Sequence, residues 1–225
     1  MYTRTPRLEI YPKRIEENAR EVISMVHAHG AQVSCVSKVL RAHPAILQAF
    51  INAGADMIGD SRLQNLAYVK EHQPGIPTLL LRLPALGQAA DTVKYADYSL
   101  NSSLETLKQL SDSAIQAGKV HKAILMVDVG DLREGIWPDR VVPLVKQAAQ
   151  LAGIELVGLG ANLACYGGVI PSLENMQILI SARDACRKVT GLPLDLLSGG
   201  NSSSLPLLAN GKMPKEINHF RIGEA

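Results

Sequence analysis

Eight short apolar runs, separated by segments with helical periodicity, constrain the fold of this 225-residue chain more than any other feature. The runs are often β-branched and apolar at successive positions, as strands that are buried on both faces of a parallel sheet should be. Strands are predicted at 31–37, 55–59, 77–83, 96–100, 122–129, 154–162, 193–198 and 219–223. Because no long linker interrupts this alternation, the sequence predicts an α/β chain folded as a (β/α)8 TIM-like barrel, with an open doubly wound sheet as the alternative.

Two of the intervening segments carry clear helix boundaries. The segment PKRIEENAREVISMVHAHG begins at Pro12, because proline is favoured in the first helical turn, and it ends before Gly30. The segment NSSLETLKQLSDSAIQAG offers an N-cap at Asn101 or Ser102, with a glutamate soon after and a closing Gly118. The sequence predicts a helix over each segment.

Composition excludes several classes of function. Hydrophobic residues make up 47% of the chain and aromatic residues only 4%, so the chain can bury a sizeable aliphatic core. A net charge of +2 without a basic stripe argues against a nucleic-acid partner. The chain has no apolar run of the ~18 residues that a membrane span needs, and its start lacks the features of a signal peptide. Three cysteines without close metal-ligand spacing fit a reducing compartment, so we expect a cytoplasmic protein without a metal site.

Polar residues collect where the carboxyl ends of the predicted strands meet, which is where barrels place their functional groups. Lys38 follows the first apolar run, and an ammonium group at that position needs either solvent or a chemical purpose. The stretch SGGNSSS at 198–204 follows a later run. Its glycines allow close backbone approach and its serines offer hydroxyls beside free N–H groups, a combination that favours a phosphate. A tight turn with a helix cap is the alternative explanation.

A lysine and a phosphate cradle at one barrel mouth suggest a phosphorylated carbonyl compound that is held as a Schiff base. Lysine amines serve this chemistry when their environment frees them of a proton. Pyridoxal 5'-phosphate carries both the carbonyl and the phosphate, so it is the predicted cofactor. Lys38 could equally be a solvated residue of the rim.

Five ordered motifs carry a family resemblance: VSKVLRAHPAILQAFINAGADMIGDSRLQNL, MVDVGDLREGIW, GLGANLACYGGVIPS, SGGNSSSLPLL and HFRIGEA. Together they resemble the alanine racemase-like (fold type III) pyridoxal-phosphate enzymes, and in particular the ornithine racemase branch of the alanine/ornithine racemase family. The resemblance implies that residues 1–225 form the barrel that binds pyridoxal phosphate, as an N-terminal domain. It also implies that Lys38 carries the cofactor, that Arg221 faces the pyridine nitrogen, and that Ser202 holds the phosphate. The full set of implied cofactor-binding residues is Lys38, Asn162, Gly200, Asn201, Ser202, Arg221, Ile222, Gly223 and Glu224.

The chain departs from the family pattern at the substrate side of the site. Alanine racemases place a histidine against the cofactor ring where this chain has Asn162, and a lysine near the substrate carboxylate where it has Met126. Arg133 keeps the position of the family's loop arginine, so Arg133 and Tyr166 are the predicted substrate contacts. These changes argue against alanine as the substrate. The resemblance to the ornithine racemase branch implies racemisation of a diamino acid such as ornithine, with Lys38 as the catalytic base on one face.

The resemblance also implies a domain and a partner that the sequence to Ala225 does not contain. Family members carry a C-terminal β domain, whose tyrosine reaches across a head-to-tail dimer as the second acid/base. We therefore expect a homodimer at full length, and cofactor binding with poor racemisation for the 225 residues alone. Tyr166 and Cys165 are the other candidates for the second face, or else packing residues of the loop.

Two further hypotheses are compatible with the same residues. The first is a single-barrel pyridoxal-phosphate homeostasis protein, which binds the cofactor without turnover. The second is a barrel that uses the same phosphate cradle for another ligand.

Overall fold

The computed structural model describes residues 8–164 and 168–224, in which helices and parallel strands alternate. The helices are α1 Pro12–Ala28, α2 Pro44–Ala53, α3 Leu63–His72, α4 Ala89–Tyr95, α5 Leu104–Gln116, α6 Pro138–Ala148, α7 Leu173–Thr190 and α8 Leu205–Ala209. The strands are β1 Gln32–Val36, β2 Met57–Asp60, β3 Thr78–Leu80, β4 Tyr98–Asn101, β5 His121–Met126, β6 Ile154–Gly160, β7 Leu196–Ser198, β8 Gly200–Asn201 and β9 His219–Ile222. In this part of the chain, no helix combines the length and apolar character that crossing a bilayer requires.

The strands form one parallel sheet that closes on itself. The strand order is β7-β6-β5-β4-β3-β2-β1-β9-β8, and every neighbouring pair is parallel. The two terminal strands, β7 and β8, are separated in the chain by Gly199 alone. They are therefore two parts of one interrupted strand, which pairs with β6 on one side and with β9 on the other. The predicted barrel is confirmed.

The interruption at Gly199 is the main difference from the predicted strands. The sequence predicts that the seventh strand ends at Ser198, whereas Gly200 and Asn201 resume the ladder opposite Phe220 and Arg221. A side chain at Gly199 would lie 2.9 Å from Ile217 Cδ1. The backbone packs closely at this point because glycine leaves room for its neighbours.

Of the two helices with predicted boundaries, α1 is confirmed and α5 differs at its N-cap. α1 begins at Pro12 and is followed by Gly30 with φ +84°, as the sequence predicts. The predicted N-cap of α5 at Asn101 or Ser102 is wrong, because Ser103 occupies the cap position. Asn101 instead extends β4 opposite Leu125.

The barrel interior has an apolar side and a polar side. Leu79, Leu100, Ile124 and Met126 from β3, β4 and β5 form one buried cluster. Ser34, Ser198, His219 and Arg221, from β1, β7 and β9, are buried and joined by hydrogen bonds. Leu100 and Arg221 line the same cavity, so the two sides face each other across the mouth of the barrel.

Candidate functional site

A cavity of about 260 Å³ lies at the carboxyl ends of the strands. It is lined by Val36, Lys38, Leu81, Leu100, Arg133, Glu134, Asn162, Leu163, Ala164, Asn201, Ser202, Ser203, Arg221, Gly223 and Glu224. Apolar residues from the barrel interior form part of its wall, and most of the charged and polar groups come from the loops. A concave site with a few convergent polar groups is the usual form of a small-molecule pocket.

Lys38 stands directly beyond β1, at the start of a single 3-10 turn over Lys38–Leu40. Its side chain is exposed at the cavity, so its ammonium group keeps access to water. Ser37, the residue before it, is buried, and its hydroxyl donates to Asp60 Oδ2 at 2.7 Å. Asp60 Oδ1 also accepts from the backbone N–H of Arg62 at 2.9 Å, so Asp60 supports the start of α3. This bonding fixes the backbone from which Lys38 extends.

Ser202, Gly223 and Glu224 form a cradle of hydrogen-bonding groups. The Ser202 hydroxyl oxygen accepts from the N–H of Gly223 at 3.2 Å and from the N–H of Glu224 at 3.0 Å. A side chain at Gly223 would lie 2.8 Å from Val36 Cβ, so only glycine brings this backbone so close to β1. Two backbone N–H groups and a hydroxyl converging on one point are suited to the oxygens of a phosphate.

Asn201 holds two loops together at the edge of this cradle. Its side-chain amide donates to the Leu163 carbonyl at 2.6 Å, and its Oδ1 accepts from the Ser203 hydroxyl at 2.7 Å. Its backbone N–H donates to Ser204 Oγ at 2.9 Å. Asn201 therefore positions the loop after β6 against the serine turn, which also brings Asn162 to the cavity wall.

Arg221 presents a buried guanidinium group to the cavity. One of its terminal nitrogens donates to the Ser198 carbonyl at 2.7 Å and to the Ser198 hydroxyl, and the other donates to the Ala161 carbonyl at 2.6 Å. These partners come from β7 and from the residue that follows β6, so the orientation of the guanidinium is set by the barrel itself. A guanidinium has only donors and stays charged, so Arg221 cannot take a proton from a ligand.

His219 lies behind Arg221 and continues the same network. Its Nδ1 lies 2.6 Å from Ser198 Oγ and its Nε2 lies 2.8 Å from Ser34 Oγ. Because Arg221 donates to Ser198, every group is satisfied when Ser198 donates to Nδ1 and the ring proton lies on Nε2. Burial, with the charge of Arg221, lowers the pKa of His219 to about 3, so the ring is neutral.

Sequence reasoning missed the role of His219, although the signal was present. His219 and Arg221 are two residues apart on β9, and residues at that spacing face the same side of a strand. A buried arginine with a titratable neighbour two positions away indicates a supporting network.

Arg133 and Glu134 come from the loop between β5 and α6. Arg133 Nη2 lies 3.4 Å and 3.5 Å from the two carboxylate oxygens of Glu134. The predicted substrate contact Arg133 therefore does line the cavity, and it is accompanied there by an acid that the sequence analysis did not single out.

Two predicted cofactor-binding residues within the described ranges, Gly200 and Ile222, are absent from the cavity wall. Gly200 is buried in β8, where a side chain would collide with the ring of Phe220, so its role is packing. The side chain of Ile222 faces an apolar pocket between α1, α2 and β1. Tyr166, like Cys165, lies outside the described residues.

The chemistry available at the cavity follows from these groups. An amine at Lys38 can act as nucleophile or base, the cradle at Ser202 can bind an anion, and Arg221 supplies a fixed positive charge in the same cavity. Among the described residues, no group of three or more His, Cys, Asp or Glu side chains is placed to hold a metal ion.

Similarity to characterised proteins points in the same direction. The chain is 38% identical over 220 residues to the lysine racemase of Thermotoga maritima, a match that covers 98% of this chain and 61% of that protein. It is 38% identical over 221 residues to the ornithine racemase of Acetoanaerobium sticklandii, covering 98% of this chain and 62% of that protein. The chain thus spans less than two thirds of the length of either relative.

The fold is shared with solved structures at lower identity. PipY of Synechococcus elongatus, solved with PLP bound, superposes with a TM-score of 0.76 at 22% identity, and the match covers 93% of this chain and 97% of PipY. At this identity the likeness concerns the fold alone. The model of the family described as "Alanine racemase, N-terminal domain" matches residues 10–225, so the resemblance seen in the motifs is confirmed and the chain belongs to that family.

Proposed function

We propose that this chain is the cofactor-binding barrel of a pyridoxal-phosphate-dependent amino-acid racemase that acts on a diamino acid such as ornithine or lysine. The observation that carries the proposal is the convergence of Lys38, Arg221 and the Ser202 cradle on one cavity. The racemase names of the two relatives support the reaction type and the diamino-acid substrate class. A homodimer at full length is part of the same proposal.

The described residues fit pyridoxal phosphate at both of its ends. The cradle of Ser202 with the N–H groups of Gly223 and Glu224 would hold the phosphate. Lys38 would bind the carbonyl carbon, and Arg221 would face the ring nitrogen with a donor that cannot give up its proton. Asn162 would lie beside the ring at the cavity wall.

The reaction follows from what each residue can do. When bound, the cofactor makes the Cα–H of an attached amino acid acidic by conjugation. Lys38 would remove and return the Cα proton on one face, and Arg133 would bind the substrate carboxylate. The permanent charge of Arg221 would discourage protonation of the ring nitrogen, which restrains side reactions such as transamination. The opposite face needs a second proton donor, for which Tyr166, Cys165 and groups of the full-length protein are the candidates.

The test uses full-length protein saturated with pyridoxal phosphate and incubated in heavy water with single enantiomers of ornithine, lysine and alanine. We expect a visible absorption band from the bound cofactor, deuterium at Cα and the opposite enantiomer of the diamino acids. Lys38→Ala should lose the band and both reactions, because no other amine is proposed to bind the carbonyl. A wild-type protein that stays colourless with added cofactor would refute the proposal. Bound cofactor without deuterium uptake would favour a homeostasis protein without turnover.

A further inference from the structure

A carboxylate stands in the cavity beside the cations that the proposed reaction uses. Glu134 lines the cavity with Lys38 and Arg133, and only 13% of its side chain is exposed. The other acid of the described lining, Glu224, is exposed at the cradle, where its backbone N–H is engaged. Glu134 is therefore the acid of this lining that is most shielded from water.

The loop that carries Glu134 is held in place by its own backbone bonds. Asp128 N–H donates to the Ile136 carbonyl at 3.0 Å, and Ile136 N–H donates to the Met126 carbonyl at 2.8 Å. At Gly135 φ is +123°, and a side chain there would lie 2.5 Å from Asp128 N. Because the loop closes tightly on the end of β5, the backbone that carries Glu134 at the cavity is held in place.

Among the residues that the structure describes, the Glu134 side chain has only a weak hydrogen-bonding partner. Its oxygens lie 3.4 and 3.5 Å from Arg133 Nη2, at the outer limit of a hydrogen bond. A shielded carboxylate without a strong partner favours a cation. If the carboxylate of an amino acid binds Arg133, the guanidinium turns towards that ligand. Glu134 then loses part of its interaction with Arg133, and a second cation beside it becomes more favourable.

We propose that Glu134 determines substrate specificity by accepting a hydrogen bond from the distal ammonium group of a diamino acid. An adjacent arginine and glutamate match a molecule that carries one carboxylate and a second ammonium group. The inference rests on the proposed function, since it assigns the side-chain contact of that substrate.

The experiment compares ornithine with norvaline, which has the same carbon chain without the distal amine, in full-length protein loaded with pyridoxal phosphate. Glu134→Gln keeps the shape of the side chain and removes its charge. It should lower kcat/KM for ornithine by ~10- to 100-fold, because a hydrogen bond between charged groups is lost, and leave norvaline within about threefold. Glu134→Asp keeps the charge and should retain the preference for ornithine, which also guards against a folding defect in the glutamine variant.

Equal losses for ornithine and norvaline in Glu134→Gln would overturn the inference, because they would show that Glu134 acts only by holding Arg133. A measurement of amino-acid binding distinguishes a failure of this inference from a failure of the racemase proposal. If the wild type racemises neither substrate, the change of cofactor absorption on titration with each amino acid still measures affinity. Tighter binding of ornithine than of norvaline, abolished in Glu134→Gln, would then uphold the inference, and equal affinities would overturn it.

Discussion

The two sides of the barrel interior are held together by different interactions, apolar packing on one side and hydrogen bonds on the other. On the side of β3, β4 and β5, Leu79, Leu100 and Ile124 pack with Met126 and need only shape and volume to match. On the side of β1, β7 and β9, the buried groups are Ser34, Ser198, His219 and Arg221, and each depends on a hydrogen-bonding neighbour.

The difference teaches how this chain places a charge inside a barrel. An arginine buried among leucines would lose its hydration without compensation. Here the carbonyl oxygens of Ser198 and Ala161 accept hydrogen bonds from the guanidinium of Arg221. The Ser198 hydroxyl is also hydrogen-bonded to His219. The apolar side thus stabilises the fold, whereas the polar side fixes the direction of Arg221 at the cavity.

The largest expected effect comes from breaking the apolar side. Ile124 is 1% exposed and belongs to the apolar cluster, but it is absent from the cavity wall. Ile124→Ala should lower the free energy of unfolding by ~2 to 5 kcal/mol, because it deletes buried methyl groups and leaves a void. The affinity for pyridoxal phosphate should change little in the protein that remains folded.

Urea unfolding and a cofactor titration measure these two quantities on the same sample. Ile124→Val is the matched control, with a smaller expected loss of ~0.5 to 1.5 kcal/mol. A large loss of cofactor affinity in Ile124→Ala, at temperatures where the protein is folded, would contradict the division of roles between the two sides.

The next effect concerns the phosphate cradle and should appear in binding alone. Ser202→Ala removes the hydroxyl that meets the N–H groups of Gly223 and Glu224, so affinity for pyridoxal phosphate should fall ~10- to 100-fold. Ser203→Ala is the matched control, because the Ser203 hydroxyl donates to Asn201 and Leu163 rather than to the cradle. An equal loss of affinity in both variants would remove the phosphate assignment of Ser202.

The barrel and the position of its site could be predicted because both follow from local patterns. Each apolar run became a strand, and the carboxyl ends of parallel strands meet by necessity, so Lys38 and Ser202 had to lie at one rim. The interruption of the seventh strand was not predicted. It depends on Ile217 and Phe220, which pack against Gly199 and Gly200 from a distant part of the chain.

The place of Ser198 in the supporting network could not be predicted for a similar reason. In the sequence, a serine at the end of a strand is compatible with a rim residue and with a helix cap. Only closure of the barrel places Ser198 between Arg221 and His219. Glu134 likewise reads as an ordinary charged loop residue, until the backbone of Gly135 folds the loop onto β5. A long-range contact decides the first case, and the closure of the loop between β5 and α6 decides the second.

A smaller effect should follow from breaking the polar network at its centre. Ser198→Ala removes the hydroxyl between Arg221 and His219, and unsatisfied buried groups cost about 1 to 3 kcal/mol in the free energy of unfolding. Because Arg221 is then less firmly oriented, we also expect the absorption maximum of the bound cofactor to shift. Ser99→Ala is the matched control, since Ser99 pairs with His121 at 2.7 Å in a buried contact away from the cavity. A similar spectral shift in the control would show that Ser198 has no specific link to the cofactor.

The smallest effect, measured over one pH unit, is a pH dependence of stability that the buried histidines should carry. Burial lowers the pKa of His219 to about 3 and that of His121 to about 4, from an ordinary value of 6.5. Between pH 6.5 and the pKa of each folded histidine, the unfolded chain binds a proton that the folded chain does not. The free energy of unfolding therefore falls as the pH falls below 6.5, and for His219 this loss ends near pH 3. Each histidine should contribute about 1.4 kcal/mol per pH unit within that window. His219→Asn keeps an acceptor for Ser198 without a titrating ring, so urea unfolding between pH 5.5 and 4.5 should show a slope shallower than the wild type by about that amount. Parallel slopes for the two proteins would mean that His219 is not held neutral behind Arg221.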